Sequence, residues 1–396
     1  MAYYASKSCL QYPSSVTEFN ERFPENEHHT IHNLSEGNRK ASGSRWNTSH
    51  LQACRVIMSQ SVHHLPVLEP YVELARHRIK NTGEVYQSLI AVTPKDLRLC
   101  SHQQLRAKGN HFGAFYIRLA DIARLPAGEL QVRPSRVVSP PDRSGYVSGE
   151  GLGLSSPIGS ERLVSSQPSS FSLSESDPVE RPEHVLRTKH EVVTAGMAAE
   201  FISAVLDICS EQKNADSRIE FNPAPTTYII EFQWLQSVCQ DDGSLIRRKK
   251  NKLHGGWVSQ GHNLAMFEAK ALYTSWNEDE DVAQMSTSVR AQLACEIFGS
   301  IFQRLNADDD PDDLSCKDRH VFLISAHQTT LTFTHTTINK EYLDYLQSDR
   351  PTDSLPFLSL VSSEQFDIEK GPGRIEAAIG IMAIVSFLDD TEETET

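Results

Sequence analysis

The sequence predicts an α/β protein over residues 181–390, a small basic helical region over 41–133, and a disordered Ser-rich linker between them. Three observations carry this. From Arg181 onward, apolar helical spacing alternates with short runs of β-branched and aromatic residues. Residues 134–178 are Ser, Pro or Gly at 25 of 45 positions, too little apolar surface to offset chain entropy. Residues 41–136 carry 13 Lys or Arg against six Asp or Glu, with apolar residues near helical spacing.

The elements follow in order. Residues 1–40 are polar and without period, which predicts a disordered tail. His28, His29 and His32 lie there without a Cys or carboxylate set to complete a metal site. Val67, Leu68, Val72, Leu74, Ala75 and Ile79 mark one helix, and Phe112 to Leu125 a second. The 134–180 linker is a plausible phosphorylation region. Beyond it, His190 to Cys209 reads as a helix, with Val193, Met197, Phe201 and Val205 on one side. Arg218–Phe221 and Thr227–Phe232 read as strands separated by Pro223 and Pro225. Asp241-Asp242-Gly243 is a turn. Leu264–Tyr273 reads as a strand, Ser286–Leu305 as a helix, and His320–Ala326 with Thr329–Phe333 as a hairpin. Glu341–Leu346 is a helix. Arg374–Leu388 is an apolar helix expected to be buried, and 391–396 is an acidic tail.

The net charge of −14 does not settle the partner. Acidic runs at 278–281, 308–313 and 389–395 hold 14 negatives and no Lys or Arg, so the rest of the chain is neutral. Seven scattered cysteines with no C-x-x-C pair argue against a disulfide framework or zinc ribbon and for a reducing compartment. Residues 1–15 lack the apolar core of a signal peptide. The longest apolar stretch, Ala377–Leu388, falls short of the about 20 residues that span a bilayer. The expectation is an intracellular protein, nuclear or cytoplasmic, with no membrane partner.

Three features then fall in order within an α-β-β-β-α-β run. They are Asp242 at a turn, Phe267-Glu268-Ala269-Lys270 at the end of an apolar strand, and Gln292 in the first half of the next helix. This pattern resembles the PD-(D/E)xK nuclease superfamily, in particular its divergent fungal members, over roughly 185–390. The resemblance implies a mixed central sheet flanked by helices and a magnesium-dependent phosphodiester hydrolase acting on nucleic acid. Asp242 follows Asp241 rather than Pro, which leaves open which aspartate faces the metal.

Elementary chemistry points the same way. Phosphodiester hydrolysis needs a hard cation, a positioned water and charge neutralisation at the phosphoryl oxygens. Asp242 and Glu268 offer carboxylates to Mg2+, which prefers oxygen ligands, and Glu200 on the preceding helix is a further candidate. Residues i and i+2 of a strand share a face, so Glu268 and Lys270 point into one cleft. Lys270 would orient or activate water, or stabilise developing charge. Gln292 would hydrogen-bond the water or phosphate at the cleft edge.

The basic run Arg247, Arg248, Lys249, Lys250 and Lys252 could contact phosphates, act as a nuclear-localisation signal, or form a solvated loop. Trp257 could stack on a base or pack at a strand end, and His327 and His335 read as structural. No P-loop, Rossmann, G-x-S-x-G, H-E-x-x-H or protein-kinase motif is present. Two rivals remain. One is an inactive member of the same fold serving as an interaction or accessory module, for instance in a fungal gene cluster. The other is a regulatory scaffold phosphorylated in its linker.

Overall fold

A computed structural model describes residues 12–24, 30–124, 191–210, 216–251, 255–270, 275–277, 282–307, 319–350 and 355–393. Helices α1 (Val16–Arg22), α2 (Glu36–Arg39) and α3 (Thr48–Ala53) lead to strand β1 (Val56–Met58). Five helices follow: α4 (Glu69–Asn81), α5 (Gly83–Ile90), α6 (Pro94–Leu99), α7 (His102–Gly109) and α8 (Gly113–Arg124). Beyond the linker come α9 (Glu191–Ser210), β2 (Ser217–Asn222), β3 (Thr227–Phe232), β4 (Leu235–Gln240), β5 (Gly243–Lys250) and β6 (Trp257–Lys270). The short strands β7 (Ser275–Asn277) and β8 (Val282–Gln284) precede α10 (Thr287–Ala307), β9 (Arg319–His327) and β10 (Thr330–Ile338). The chain ends with α11 (Lys340–Gln347), β11 (Leu358–Ser362), β12 (Phe366–Asp367) and α12 (Gly371–Glu393).

The main sheet is mixed, in the order β1-β11-β10-β9-β6-β5-β2, with β12 also paired to β10. The pairs β6–β9 and β1–β11 are parallel, and the other neighbours are antiparallel. Helices cover both faces. The period of two along each strand sends alternate residues into two cores. Ala265, Phe267 and Ala269 of β6, with Phe322 and Ile324 of β9, meet α4, α5, α8, α9 and α12. Met266, Val321 and Leu323 face α10, α11 and the hairpin β3–β4. In α10, Leu293, Ala294, Ile297, Phe298 and Ile301 recur at helical spacing and fill that second core. The expected mixed sheet flanked by helices is therefore present.

The N-terminal region joins the same body. Its helices pack on both faces, α4–α8 in the first core and α1 and α3 in the second, and it supplies strand β1, with Val56 opposite Leu358. Arg374 of α12 is buried and donates to the carbonyls of Leu89 (2.6 Å), Val92 (2.6 Å) and Ile368 (3.1 Å). The expectation of disorder over 1–40 is corrected for residues 12–24 and 30–40. Phe19 and Ile31 are completely buried there, as isolated anchors in polar sequence. His32 is also buried, against Ser348. His28, His29 and the 134–180 linker lie outside the described residues.

α12 has the expected burial at Ile379, Met382, Ile384 and Phe387, while Ile375 is half-buried. Gly380 is required by contact: a Cβ there would lie 2.3 Å from Phe333 Cε2. Taken as whole helices, α9 and α12 are long and apolar enough to cross a membrane, more than the Ala377–Leu388 run alone suggested. Both bury most of that surface in the first core, the bland reason for such composition.

Candidate active site

The site lies where β6 ends, beside the β4–β5 turn and the start of α9. Glu268 and Lys270 share the face of β6 opposite to Phe267 and Ala269, which turns Glu268 toward α10. Glu268 is 2% exposed. Its Oε1 accepts from Lys270 Nζ and from Gln292 Nε2 (2.9 Å). Its Oε2 is buried and meets no hydrogen-bond donor.

Asp242, and not Asp241, belongs to this cluster. Asp242 Oδ2 accepts from the Ala269 amide (2.8 Å), and the Asp242 amide donates to the Phe267 carbonyl (2.9 Å). Asp242 is thus tied to β6 through both its side chain and its backbone. Asp241 points the other way, accepting from the Thr226 amide (2.7 Å) and the Tyr228 hydroxyl (2.5 Å). Asn263 donates to Tyr228 Oη (2.6 Å) and accepts from Ser244 Oγ (2.9 Å), so the buried network holds both sides of the turn. Gly243 follows with φ of +152°, where a Cβ would lie 2.8 Å from the Asn222 carbonyl oxygen. The positive φ and the lack of room for a Cβ restrict this position to glycine.

The third carboxylate is Glu191, in the first turn of α9. Glu191, Asp242 and Glu268 each present an oxygen within 4.8 Å of the others, and Lys270 Nζ lies 3.1 Å from Glu191 Oε1. Glu200, expected as the extra ligand, is not in this set. It lies nine residues further along α9, so helix geometry places it about 180° around and roughly 13 Å along the axis. Gln292 is brought to the site, but its amide nitrogen donates to carboxylates, to Glu268 and, at 3.1 Å, to Glu296. It orients Glu268 instead of reaching outward.

Electrostatics follow from four carboxylates around one ammonium. Burial pushes the Glu268 carboxyl up to about 8, with Lys270 opposing and Asp242 reinforcing. Burial likewise raises Asp242, and raises the fully buried Glu296 well above the carboxylate range. For Lys270 burial favours the neutral amine, but Glu268, Glu191 and Glu296 outweigh it and the ammonium is stabilised. The cluster therefore retains a proton on its carboxylates and a charge on its lysine.

Glu296 and Glu191 were missed from sequence. Glu296 stands one helical turn after Gln292, a spacing that was available. Glu191 announces itself only as an acid in a helix's first turn.

The basic run lies on β5, not in a loop, and strand alternation splits it between faces. Arg247 is buried, donating to Asp389 Oδ1 (2.8 Å) and the Leu388 carbonyl (3.0 Å) of α12. Arg248 pairs with Glu220 of β2 (2.7 Å). Lys249 is half-buried, Lys250 is exposed and Lys252 lies outside the described residues. Among the four described, Arg247 and Arg248 are already engaged by carboxylates of the fold. Trp257 lies under the Arg218 guanidinium, 4.2 Å from ring centroid to Cζ. His335 stacks on His320 within the fold.

Neither the known protein-family models nor the curated protein sequences compared with the chain gave a match.

Proposed function

We propose that this protein is a metal-dependent hydrolase of nucleic-acid phosphodiester bonds, of the PD-(D/E)xK type. One observation carries the reading. A buried strand carboxylate, Glu268, keeps an oxygen without a donor while facing Asp242 and Glu191, with Lys270 on the same strand face. The order α9, β2, β5, β6, α10, β9 also fits the α-β-β-β-α-β path that the resemblance implies.

An all-oxygen donor set with an unsatisfied buried oxygen suits Mg2+. Asp242, Glu268 and Glu191 would hold it. When bound, such an ion supplies Lewis-acid neutralisation of the phosphoryl oxygens. The chain's own residues do the rest. Lys270, held as an ammonium, donates to a phosphoryl oxygen and stabilises the charge that develops there; it is poorly suited to accept a proton. Gln292 fixes the Glu268 rotamer. The Asp241–Tyr228–Asn263 network fixes the turn that presents Asp242.

The test is calorimetric Mg2+ titration beside cleavage of DNA and RNA. Lys270→Ala should abolish turnover and leave metal affinity largely intact, because lysine is not a ligand. Glu268→Ala should weaken metal binding at least tenfold. Equal affinity in wild type and Glu268→Ala, or no cleavage of any DNA or RNA by wild type, would sink the proposal.

One observation favours the inactive member instead. Lys270 Nζ contacts both Glu268 and Glu191, so the cluster already contains its own counter-charge. A closed ion cluster of this kind would serve folding specificity in an accessory protein and bind no cation.

A further inference from the structure

A second cluster of ligating side chains lies on different elements and shares no residue with the first. The bridge between Val62 and Ser363 brings the bend at His63 and His64 beside the β11–β12 connection. Glu376, in the second turn of α12, faces both rings. His64 Nε2 lies 2.9 Å from Glu376 Oε2, and His63 Nε2 lies 3.5 Å from the same oxygen. The three ligand atoms fall within 4.8 Å of one another. Phe366 packs against both imidazoles, with centroids at 5.8 and 5.5 Å, and limits their rotation.

We propose that His63, His64 and Glu376 form a binding site for a first-row divalent cation that takes imidazole ligands, with Zn2+ as the type case.

Three points carry it. The first is spacing. Tetrahedral zinc with bonds of about 2.0–2.1 Å places its ligands roughly 3.3 Å apart. The two nitrogen–oxygen distances, 2.9 and 3.5 Å, bracket that edge.

The second is the tautomer of His63. Its Nδ1 lies 2.9 Å from Glu364 Oε2, a carboxylate that can only accept, so the ring proton belongs on Nδ1. That leaves Nε2, 3.5 Å from Glu376 Oε2, as the ring atom turned toward the other two ligands. A carboxylate on the far nitrogen of a ligating histidine is the usual outer support of such sites.

The third is access. His63 is half-exposed while His64 and Glu376 are mostly covered, which gives three protein ligands with a solvent-facing fourth position. On binding, His64 gives up its hydrogen bond to Oε2: its Nε2 proton leaves to solvent while Nδ1 takes one up, so the ligating ring stays neutral. Arg76 opposes the ion, since its guanidinium holds Glu376 Oε1 at 3.1 Å and reaches Oε2 at 3.3 Å. It also fixes the carboxylate plane, leaving Oε2 directed at the rings.

The experiment is titration of the full chain with Zn2+ by calorimetry and with Co2+ by visible absorption, which reports tetrahedral nitrogen ligation. The tetrahedral Co2+ band of wild type should report a site separate from the Asp242, Glu268 and Glu191 set, and its affinity should fall at least tenfold in His63→Ala and in His64→Ala. It should be unchanged in Glu268→Gln and in His102→Ala, an exposed histidine beside Asp121. His63 is exposed enough that its truncation does not threaten the fold. Identical Zn2+ titrations of wild type and His63→Ala would overturn the proposal, as would loss of the site in Glu268→Gln.

Discussion

Replacing Glu268 with Gln keeps the shape of the side chain and removes its ionisation. The usual Glu value of 4.5 rises to about 8 in the folded protein, chiefly through burial. Between those values the native protein holds a proton that the unfolded chain has released. The associated stability is fully present below the unfolded value and is lost as pH rises through about 8. Each tenfold change in proton affinity is worth about 1.4 kcal/mol, so the full displacement amounts to about 5 kcal/mol. Lys270 keeps Glu191 at 3.1 Å in the variant, so no ammonium is stranded. Asp241, raised to about 7 by burial, gives a slope of the same sign in both proteins and cancels in their difference. Urea unfolding at pH 5, 7 and 9, with a chelator present, should find wild type and Glu268→Gln within about 1 kcal/mol at pH 5. At pH 9 the variant should be the more stable by about 2–5 kcal/mol. Parallel pH profiles for the two proteins, or a wild type that gains on the variant as pH rises, would refute the account of the cluster given above.

Three further outcomes are expected. Ile379→Asp places an unpaired charge in a fully buried position and should cost several kcal/mol in chemical denaturation; an unchanged melting temperature would mean that α12 is exposed. Gly380→Ala forces Phe333 aside and should cost about 1–3 kcal/mol, a value that near-neutrality would contradict. Arg247→Met breaks the bonds to Asp389 and Leu388 and should destabilise by about 1–3 kcal/mol, while Lys250→Gln stays within about 0.5 kcal/mol; equal effects of the two would argue against the split of the basic run between faces.

Periodicity made α4, α8, α9, α10 and α12 legible, because each buries a continuous apolar stripe. The hairpin β9–β10 and the Glu268–Lys270 spacing were equally plain. β4 was not, since its inward positions include Ser237 and Cys239, which are small and polar or soft. β5 was hidden by its four consecutive basic residues. Arg247 occupies a buried strand position because Asp389, 142 residues away, is there to receive it. No local pattern could announce that partner. The same holds for Phe19 and Ile31, whose burial depends on what the rest of the chain brings to them. At the site, the strand motif and the turn were readable, but the third carboxylate was not. Choosing Glu191 over Glu200 requires knowing how α9 is rotated against the sheet.

The pairing of β1 with β11 has a consequence for synthesis. Ser59 and Ser359 touch across that junction at a separation of 300 residues, and Arg374 ties α12 back to the carbonyls of Leu89 and Val92. At about 5–20 residues per second, the N-terminal segment waits roughly 15–60 s for its partner strand to be made. During that interval Leu51, Val56 and Phe19 have no second layer to cover them. The last step of sheet assembly is then loop closure over almost the whole chain, and non-local closure of this kind slows folding. Until the last tenth of the chain emerges, that apolar surface stays without its partner.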